Sequence, residues 1–525
     1  MTNASNLPAP YGGVDETVPL ASLQHPFCEN LFNFNPVANG IALRPGDSGY
    51  SATTGIAGTF FPRELAAYGN TSLWAVIYNS TTTTIQFFNI DVGGTAHTSA
   101  AGGDAQDWAT LIFNNYLFFF TTTAAYDPGF YYDGAAWGAI GYTGTGTFLP
   151  FGGNVYKNRA YLIQSAECAY WYSELEAVTG ATTKVDLSSV VSEKSTLAII
   201  ASIVIADNVQ SEQFQAFIMF SGEVLFYSGS YPDSQSWGLV GQANISSPLN
   251  YNSGVQYGGD YFIFCEDGVV SLRTLFLQGS ESAQLLNQNR RIHQTWVDTI
   301  KALRAWASQL YGAITGVKGV WDRVNGRIYI RIPGYINSVG TFTAGNFYFV
   351  FDGQFQAWYY HRTFGLTTQT GLVSYRNKIL YFTAANTAGA GTAYVRTYIK
   401  EGATNYTDVN TLGNATAYDY EFISAPIPFP KTQCYETTQI EPIIESDLYA
   451  QTNWYLVADF GRQTTNAQTT DAATTAPAKP AVNVGIQNAT FVQVKMSGTT
   501  TTSKTVGLKL YSYNVWYNMG EVASR

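Results

Sequence analysis

One short pattern recurs along the middle of the chain and limits its fold more than any other feature. A turn residue (Asn, Gly or Asp) is followed at once by a strand-like run rich in Tyr, Phe, Leu and Ile. Six units show the pattern: Asn115–Phe120, Asn158–Ile163, Gly222–Tyr227, Asp260–Phe264, Asn325–Ile330 and Asn377–Phe382. They begin 43, 64, 38, 65 and 52 residues apart. Periods of about 40–50 residues are typical of propeller blades, and the longer gaps then hold insertions. We therefore predict an all-β fold, a β-propeller with degenerate blades, in preference to a long double-sheet sandwich.

Two kinds of turn accompany these units. Asn325-Gly326 is the clearest hairpin signal, because Asn-Gly supplies the positive φ angles of a tight type I′ turn. A second element places a Gly-containing turn between an aromatic strand end and a Trp, at Tyr132–Trp137, Tyr227–Trp237 and Phe351–Trp358. We expect each of these Trp side chains to pack on the strand that follows.

One stretch, Ser280–Leu310, has helical rather than strand periodicity. Its apolar residues are spaced so that they fall on one helical face. They are Leu285, Ile292, Trp296, Ile300, Leu303, Ala307 and Leu310. Ser280 is a suitable N-cap and Gly312 a suitable C-terminal stop. The pattern predicts a helix, or a helix pair, inserted between two blades.

The same region carries the main charge anomaly of the sequence. Nine basic and three acidic residues lie between Arg273 and Arg331, a net charge of +6, which leaves −16 for the rest of a chain whose total is −10. One interpretation is a solvated helix face with hairpin positions; the other is a docking patch for an acidic protein partner or nucleic acid. On the second interpretation the docking residues are Arg290, Arg291, Lys301 and Arg304. The negative total charge argues against tight sequence-specific DNA binding.

The sequence divides into five segments. They are an N-terminal arm with the first blade strand (1–60), the first part of the propeller (61–272), the helical insertion (273–320), the second part of the propeller (321–415) and a C-terminal β-rich domain (416–525). In the last segment, alternation such as that of Phe491–Met496 predicts strands with one wet face, hence a small β-sandwich. The Thr/Ala/Pro-rich stretch Thr464–Ala481 is predicted as a loop.

Composition excludes several other classes. Charged residues make up 12% and aromatic residues 15% of the 525 residues, so neither a disordered chain nor a helical bundle is expected. The longest apolar runs, Leu111–Phe120 and Leu197–Ala206, are too short to cross a bilayer and are predicted as buried strands. Met1–Pro10 lacks the basic start and apolar core of a secretory signal.

The cysteines point to the same compartment as the missing signal. No two of them are close enough for a Cys-x-x-Cys metal or redox site, and isolated thiols are usually buried small apolar residues. They are Cys28, Cys168, Cys265 and Cys434. Assembly in a reducing cytoplasm is the expectation.

Enzyme motifs are missing or incomplete. The four histidines (His25, His97, His293 and His361) show no metal-ligand spacing. Gly46-Asp47-Ser48-Gly49 matches the stretch around the serine of trypsin-like proteases, but only His25 precedes it, by 23 residues, which leaves no room for the upstream barrel. No phosphate loop or dinucleotide fingerprint is present. We expect no catalytic residue, metal or cofactor, although the paired carboxylates of a glycosidase need not be near in sequence and stay open.

The most specific stretch is the N-terminus. Four short motifs follow one another there: Pro8-Ala-Pro-Tyr-Gly-Gly-Val14, Pro19-Leu20, Asn30-Leu-Phe-Asn-Phe-Asn-Pro36 and Ile41-Ala-Leu-Arg-Pro-Gly46. Their order resembles the opening of the tail nozzle proteins of short-tailed bacteriophages, also called tail tube or packaged-DNA-stabilisation proteins. The resemblance covers about 50 residues by motif, and the rest of the chain agrees with that family in general character only.

What the resemblance implies is a β-propeller component of the virion tail, assembled in the host cytoplasm. Six copies would form a ring below the portal and adaptor, whose channel holds and then passes the genome. The implied partners are further copies of the chain, the tail adaptor and portal proteins, tail fibre, spike or needle proteins, and double-stranded DNA that passes without sequence-specific binding. No membrane anchor is expected.

Within the motif, we expect residues that set the fold. Gly12, Gly13 and Gly46 would permit positive φ, and Pro36 and Pro45 would fix extended corners. Arg44 would pair with a carboxylate, either across a subunit boundary or within one subunit.

Two functional hypotheses follow. The first is a structural virion protein without enzymatic activity, a homo-oligomeric tail nozzle that docks other tail proteins. The alternative is a carbohydrate-binding β-propeller, a lectin, adhesin or glycosidase-like protein, in which exposed Tyr and Trp rings would stack on sugars.

Overall fold

The computed structural model describes most of the chain, and all structural statements below concern that part. The described residues are 2–45, 48–50, 56–93, 95–98, 108–121, 129–144, 148–164, 166–206, 211–279, 289–310, 314–337, 339–363, 369–384, 391–399, 408–409, 415–428, 434–446, 451–458, 463–465, 468–471, 474–478, 482–487, 491–500 and 508–520. They form an all-β protein with one helical segment, as the sequence predicts.

Short strands begin at the N-terminus. They are β1 (Thr2–Pro8), β2 (Cys28–Phe32), β3 (Phe34–Val37), β4 (Gly40–Leu43) and β5 (Ser48–Gly49), with a 3-10 turn at Leu20–Ser22. Strands β1, β2 and β4 pair with strands from the C-terminal part of the chain, β2 also pairs with β29, and β3 pairs with β4, so the first four strands are taken up again below.

Five antiparallel meanders then follow in chain order. Blade 1 contains β6 (Ile56–Tyr68), β7 (Ser72–Asn79), β8 (Thr84–Asn89) and β9 (Thr95–Thr98); blade 2 contains β10 (Trp108–Phe113), β11 (Tyr116–Thr121), β12 (Phe130–Tyr132) and β13 (Trp137–Ala139). Blade 3 contains β15 (Pro150–Tyr156), β16 (Arg159–Gln164), β17 (Ala169–Ser173) and β18 (Gly180–Asp186), the last paired with β14 (Tyr142–Thr143). Blade 4 contains β19 (Leu197–Ala206), β20 (Ser211–Met219), β21 (Glu223–Ser228) and β22 (Gly238–Asn244); blade 5 contains β23 (Gly254–Tyr257), β24 (Asp260–Phe264) and β25 (Val269–Ser271).

The helical segment separates blade 5 from two more blades. It contains α1 (Leu272–Gln278), a 3-10 turn at Arg290–Ile292 and α2 (His293–Leu310). Blade 6 contains β26 (Lys318–Asp322), β27 (Arg327–Ile336), β28 (Phe342–Asp352) and β29 (Ala357–Thr363); blade 7 contains β30 (Gln369–Tyr375), β31 (Lys378–Ala384) and β32 (Gly391–Ile399).

The seven blades close into a ring. In series, β6, β10, β15 and β19 contact one another, β19 contacts β24, and the contacts β23 to β26, β26 to β30 and β30 to β6 complete the circle. Blade 7 is closed by the N-terminal part of the chain, since β32 pairs with β5 and with the start of β6. The fold is therefore a seven-bladed β-propeller whose first strands surround the central channel.

Apolar side chains fill the spaces between successive blades. Trp74 and Phe87 of blade 1 pack with Trp108 and Phe119 of blade 2, and Phe217 of blade 4 stacks on Tyr170 of blade 3. A central blade strand is thus buried on both faces, which removes the period-2 alternation of a one-sided sheet. Flat rings suit these narrow spaces, which accounts for a chain with 15% aromatic residues.

The repeated sequence units correspond to blade strands. Five of the six form the second strand of a blade, and Gly222–Tyr227 falls on the third strand of blade 4. The Gly-turn-Trp elements lie between the third and fourth strands of blades 2, 4 and 6.

The turn type predicted at Asn325-Gly326 is wrong. That hairpin has a four-residue loop in which only Gly326 has positive φ (64°), and Asp322 Oδ1 accepts the N–H groups of Val324 and Asn325. Two successive residues with positive φ, the geometry of a type I′ turn, occur instead at Asn114–Asn115, Lys157–Asn158 and Arg376–Asn377. The side chain of Asp322 holds the longer loop and so overrides the Asn-Gly preference.

The predicted helical insertion is confirmed in its described part. Helix α1 starts at Ser271, whose hydroxyl accepts the N–H of Thr274 (3.0 Å). Ile292 of the 3-10 turn and Trp296, Ile300, Leu303 and Ala307 of α2 form one apolar face that packs on the propeller, all at most 2% exposed. Ser280, Leu285 and Gly312 lie outside the described residues.

The C-terminal strands form the β-sandwich, except the first two, which pair with each other in a separate two-stranded sheet. The C-terminal strands are β33 (Asp408–Val409), β34 (Ala415–Thr416), β35 (Asp419–Ser424), β36 (Ile427–Pro428), β37 (Cys434–Ser446), β38 (Gln451–Ala458), β39 (Gln463–Thr464), β40 (Gln468–Asp471), β41 (Thr474–Ala478), β42 (Val482–Gln487), β43 (Phe491–Thr499) and β44 (Lys509–Gly520). One sheet has the order β3-β4-β44-β37-β41, with β1 on β44 and β42 on β37. The stretch predicted as a loop at Thr464–Ala481 contains β40 and β41, because its Thr-rich sequence has strand propensity and pairs with β38 and β37.

The second sheet of the sandwich is continuous with blade 6. Its order is β26-β27-β28-β29-β2-β35-β43-β38-β39, so β2 links the last strand of the blade to the first strand of the sandwich. We call this the joining sheet. The N-terminal residues, which the sequence predicts as an arm, thus supply strands to both sheets of the sandwich.

Candidate functional site

The centre of the junction between propeller and sandwich is Asn33, a residue of the N-terminal motif. It lies between β2 and β3, fully buried, with φ of 59°. Its backbone N–H donates to Tyr360 O (2.8 Å) and its side-chain Nδ2 donates to Asp419 O (2.7 Å). Its Oδ1 accepts the backbone N–H of Arg362 (2.9 Å). The side chain of Asn33 therefore bonds blade 6 to the sandwich. The one sequence signal for this role is an Asn, a residue that tolerates left-handed backbone, between two strand-like runs.

Arg44 completes this junction from inside the chain. It is 0% exposed; its Nε donates to Asn33 Oδ1 (3.0 Å), its Nη2 to Arg362 O (2.9 Å) and its Nη1 to Pro45 O (3.1 Å). Its guanidinium lies 4.2 Å from the centre of the Tyr418 ring, and the Tyr418 hydroxyl donates to Arg44 O. Of the two alternatives for Arg44, burial inside its own chain argues against pairing across a subunit boundary, and pairing with a carboxylate of the same chain stays a prediction. We call Asn33, Arg44 and their partners the joint.

The glycines of the motif act through close approach. Gly13 has φ of 75°, and a Cβ there would lie 2.5 Å from Trp358 O of β29. Gly12 is not among the residues with positive φ, contrary to expectation; a Cβ there would lie 2.8 Å from the Phe27 ring, so packing explains the glycine. Pro36 lies within β3, opposite Ile41. Gly46 lies outside the described residues.

A buried charged cluster lies beside the joint. Burial lowers the pKa of His361 well below its usual value, and the positive charges of Arg44 and Arg327 lower it further. Its Nε2 lies 3.3 Å from Phe34 O. Arg327 is paired with Asp352 (Nε to Oδ2, 2.8 Å). His361 is consequently neutral in the folded protein.

The +6 surplus of residues 273–331 is largely neutralised by the rest of the chain. At least four of its nine cations pair with described carboxylates from outside the segment. These are Arg291 with Asp15 (3.8 Å), Arg304 with Glu266, Lys318 with Glu64 (2.7 Å) and Arg327 with Asp352 (2.8 Å). The segment therefore does not form one continuous basic patch.

The four predicted docking residues fall into two pairs. Arg291 and Arg304 are held by the ion pairs just described, and Arg291 also lies over the Phe27 ring (4.5 Å). Arg290 and Lys301 are exposed. Arg290 and Arg291 line a cavity of about 390 Å³ that also contains Trp358. Docking by these residues stays a prediction, and Arg290 and Lys301 are the two that form no ion pair with a carboxylate in the described part of the chain.

An open groove lies on one face of the joining sheet, and residues of α2 form part of its wall. Its volume is about 880 Å³, and it crosses β29, β2, β35, β43 and β38. Five carboxylates line it, against one cation, Arg362: Glu16, Glu29, Asp298, Asp419 and Glu421. The Arg362 guanidinium lies over the rings of Tyr335 (4.4 Å) and Phe32 (5.2 Å). The groove is thus acidic and lined in part by aromatic rings.

Hydrogen bonds fix the carboxylates of this groove. Glu16 accepts the N–H of Thr295 (3.1 Å), Glu29 accepts from Gln493 Nε2 (2.6 Å), Asp298 accepts from Gln294 Nε2 (2.8 Å) and Glu421 pairs with Lys495 (2.6 Å). Within the described ranges, no group of three or more His, Cys, Asp or Glu residues is placed to hold a metal ion. None of the helices described above combines the length and the apolar character needed to span a bilayer.

Comparisons with known proteins add fold likenesses only. No protein-family model and no curated protein matches the chain. The β-propeller domain of Cps50 (Swd1) from Myceliophteria thermophila is similar over 67% of this chain and 99% of that domain, at 6% identity and a TM-score of 0.38. An exo-β-1,3-galactanase from Phanerochaete chrysosporium is similar over 88% of this chain and 100% of its own, at 9% identity and a TM-score of 0.26. A second structure of that enzyme, with galactose, gives 78% and 95% coverage, 7% identity and a TM-score of 0.25. Likenesses this low carry no information about activity, ligand or partner.

Proposed function

We propose that this chain is a structural virion protein without enzymatic activity, the subunit of a homo-oligomeric tail nozzle of a short-tailed bacteriophage. Six copies form a ring whose channel retains the genome and then passes it, and other tail proteins dock on its surface. The support from the sequence is the N-terminal motif order. The support from the structure is where those motif residues lie.

The observation that carries the proposal is that the motif residues build the joint. Asn33 and Arg44 bond blade 6 to the sandwich, and Gly13 lets the N-terminal segment lie against β29. Domains of one chain usually meet through a flexible linker and move relative to each other. Here the joining sheet runs from blade 6 into the sandwich through β2, which pairs with both β29 and β35 and so fixes one against the other. A wall that must hold packaged DNA needs this rigidity, whereas an enzyme or lectin has no evident use for it.

Ring assembly is the direct test. Purified full-length protein, alone and with adaptor proteins of a short-tailed phage, would be examined by native mass spectrometry and negative-stain microscopy. We expect closed rings of six. A protein that stays monomeric in both conditions contradicts the proposal.

A charge variant sharpens this test. Neutralising all four predicted docking residues should impair assembly and leave folding intact. The exposed pair Arg290→Ala/Lys301→Ala is the cleaner variant, because Arg291 and Arg304 make ion pairs within the chain. Arg273→Ala, which removes an exposed cation on α1, is the matched control and should assemble normally. Normal assembly of the double variant would leave these cations as a solvated helix face.

DNA affinity tests the passage function. A chain with a net charge of −10 makes few phosphate contacts, so we expect weak DNA binding that falls steeply with salt. Fluorescence anisotropy with labelled double-stranded DNA at several salt concentrations measures this. Nanomolar affinity at physiological salt would contradict free passage of the genome.

The acidic groove favours a second candidate, carbohydrate binding. Aromatic rings and carboxylates line it together, and such rings stack on sugars while carboxylates accept from their hydroxyls. A glycan array with the wild-type chain and a Tyr335→Ala variant tests this candidate. Binding that depends on Tyr335 supports a lectin, and turnover of a carbohydrate library would add a glycosidase.

A further inference from the structure

A further cavity lies at the mouth of the propeller channel, separate from the groove and the joint. Its volume is about 850 Å³, and five first strands line it: β6, β10, β23, β26 and β30. Residues of the turns that follow three of these strands, among them Asn70, Arg323 and Asn377, also line it. The cavity therefore opens at the face where the first strands turn into the second.

The charges of this cavity have one sign. Lys318, Arg323 and Arg376 line it, and no Asp or Glu does. Lys318 pairs with the buried Glu64 (2.7 Å), and Arg376, whose side chain is 49% exposed, pairs loosely with Asp91 (3.6 Å). The Arg323 guanidinium lies over the Trp321 ring (5.0 Å) and forms no ion pair with a described carboxylate. Exposed positive charge thus remains at the mouth.

The same cavity leaves apolar surface uncovered. Ile112 on β10 is 50% exposed and Val324, after β26, is 51% exposed. Side chains such as Leu111 and Leu372 contribute further apolar lining. The indole N–H of Trp321, which is buried, has no acceptor among the described residues. A buried donor without a partner destabilises the folded chain, so an occupant whose acceptor reaches this N–H would be favoured.

We propose that this mouth is a docking site for an acidic segment of a partner protein, one that carries Asp or Glu side chains next to apolar ones. The carboxylates would pair with Arg323 and Arg376, and the apolar side chains would cover Ile112 and Val324. The positive lining favours a negatively charged occupant. The apolar lining favours one that also carries apolar side chains, which a simple anion lacks. Nucleic acid fits less well, because Arg323 covers the Trp321 ring on which a base would stack. The site does not depend on ring assembly, so either can fail alone.

A selection experiment identifies the chemistry of the occupant directly. Random 12-residue peptides would be displayed, selected on the full-length protein and counter-selected on the Arg323→Glu variant. We expect enriched sequences with two or more Asp or Glu residues beside Leu, Ile or Phe. Enrichment of basic sequences, or no enrichment, would overturn the proposal.

Affinity measurements then place the selected peptide. By fluorescence anisotropy, Arg323→Glu should weaken binding at least 10-fold, since it turns an attraction into a repulsion. Val324→Asp, which keeps all three cations and places a carboxylate at the apolar edge, should weaken it comparably. Arg273→Glu, an exposed cation outside the cavity, is the control and should change the affinity less than twofold. Wild-type thermal midpoints in each variant show that the fold is intact.

Competition separates the proposed occupant from other anions. Inorganic phosphate and a single-stranded oligonucleotide would be titrated against the bound peptide at fixed ionic strength. We expect neither to displace it at concentrations matched to the peptide. Displacement by the oligonucleotide would reassign the mouth to nucleic acid, displacement by phosphate would reduce it to a simple anion site, and either would overturn the proposal.

Discussion

The blades and the joint hold their residues in opposite ways. In blade 3, β15 and β16 pair across the two-residue turn Lys157–Asn158, so the contacts that define the hairpin are local. In the joint, Asn33 bonds Asp419, and Arg44 bonds Arg362, more than 300 positions away along the chain. A substitution in a blade hairpin should therefore disturb only local contacts. In the joint, several long-range contacts depend on a few buried polar residues.

The largest effect is expected for Arg44→Met. The change keeps much of the side-chain volume but removes the charged donor from Arg362 O and one of the two donors from Asn33 Oδ1, so we expect the unfolding free energy to fall by about 3–5 kcal/mol. Urea denaturation followed by Trp fluorescence measures it.

A buried arginine within a blade provides the matched control. Arg159 of blade 3 is 9% exposed and donates to Ser173 O (2.8 Å), a partner only 14 positions away. Arg159→Met should lower the unfolding free energy by only about 1–2 kcal/mol. Equal losses in the two variants would show that the joint is no more critical than a blade.

Gly13→Ala is expected to have the next largest effect. A Cβ at Gly13 meets backbone of Trp358 at 2.5 Å and 3.0 Å, and φ is 75°, so we expect a loss of about 2–4 kcal/mol in unfolding free energy. Gly69, in the β6–β7 turn, has φ of 55° but no atom within 4 Å of the position that a Cβ would take. Gly69→Ala should therefore cost only about 1–2 kcal/mol, from the left-handed backbone alone. The comparison fails if both substitutions cost the same.

The same contrast decides what the sequence could predict. The unit Asn377–Phe382 predicts a strand because the turn residue and the strand are adjacent in sequence. Helix α2 is predicted by the helical spacing of Trp296, Ile300 and Leu303. The strand Cys28–Phe32 pairs with the strand Asp419–Ser424, and no pattern in either sequence predicts this pairing. The charge surplus of residues 273–331 misleads for the same reason, since Asp15, Glu64 and Asp352 neutralise it from distant positions.

A pH series sharpens the comparison through His361. Its folded-state pKa lies well below the ordinary value of 6.5, so it stays neutral while the unfolded chain takes up a proton. Stability from this group is fully present above pH 6.5 and is lost as pH falls from there toward the folded-state pKa, with a slope of up to about 1.4 kcal/mol per pH unit. Urea denaturation at several pH values between 7.5 and about 5 measures the slope.

Histidine substitutions test whether this slope comes from His361, in the charged cluster beside the joint. His361→Gln should remove much of it, and the exposed His293→Gln should keep the wild-type slope. Burial also lowers the pKa values of His25 and His97, which account for the slope that remains. An unchanged slope in His361→Gln would place the acid sensitivity outside the charged cluster beside the joint.

The smallest effect is expected for a blade turn. Asn115 has φ of 63° in the two-residue turn between β10 and β11, where Ala is strained and Gly is not. Asn115→Ala should lower the unfolding free energy by about 1 kcal/mol, and Asn115→Gly should be nearly neutral. The equivalent turn of blade 7 offers an independent repeat, since Asn377 has φ of 59°. If each turn acts alone, the losses of Asn115→Ala and Asn377→Ala add in the double variant, because the two sites share no contact. Losses well above the sum would mean that the blades are coupled around the ring as tightly as the joint couples blade 6 to the sandwich.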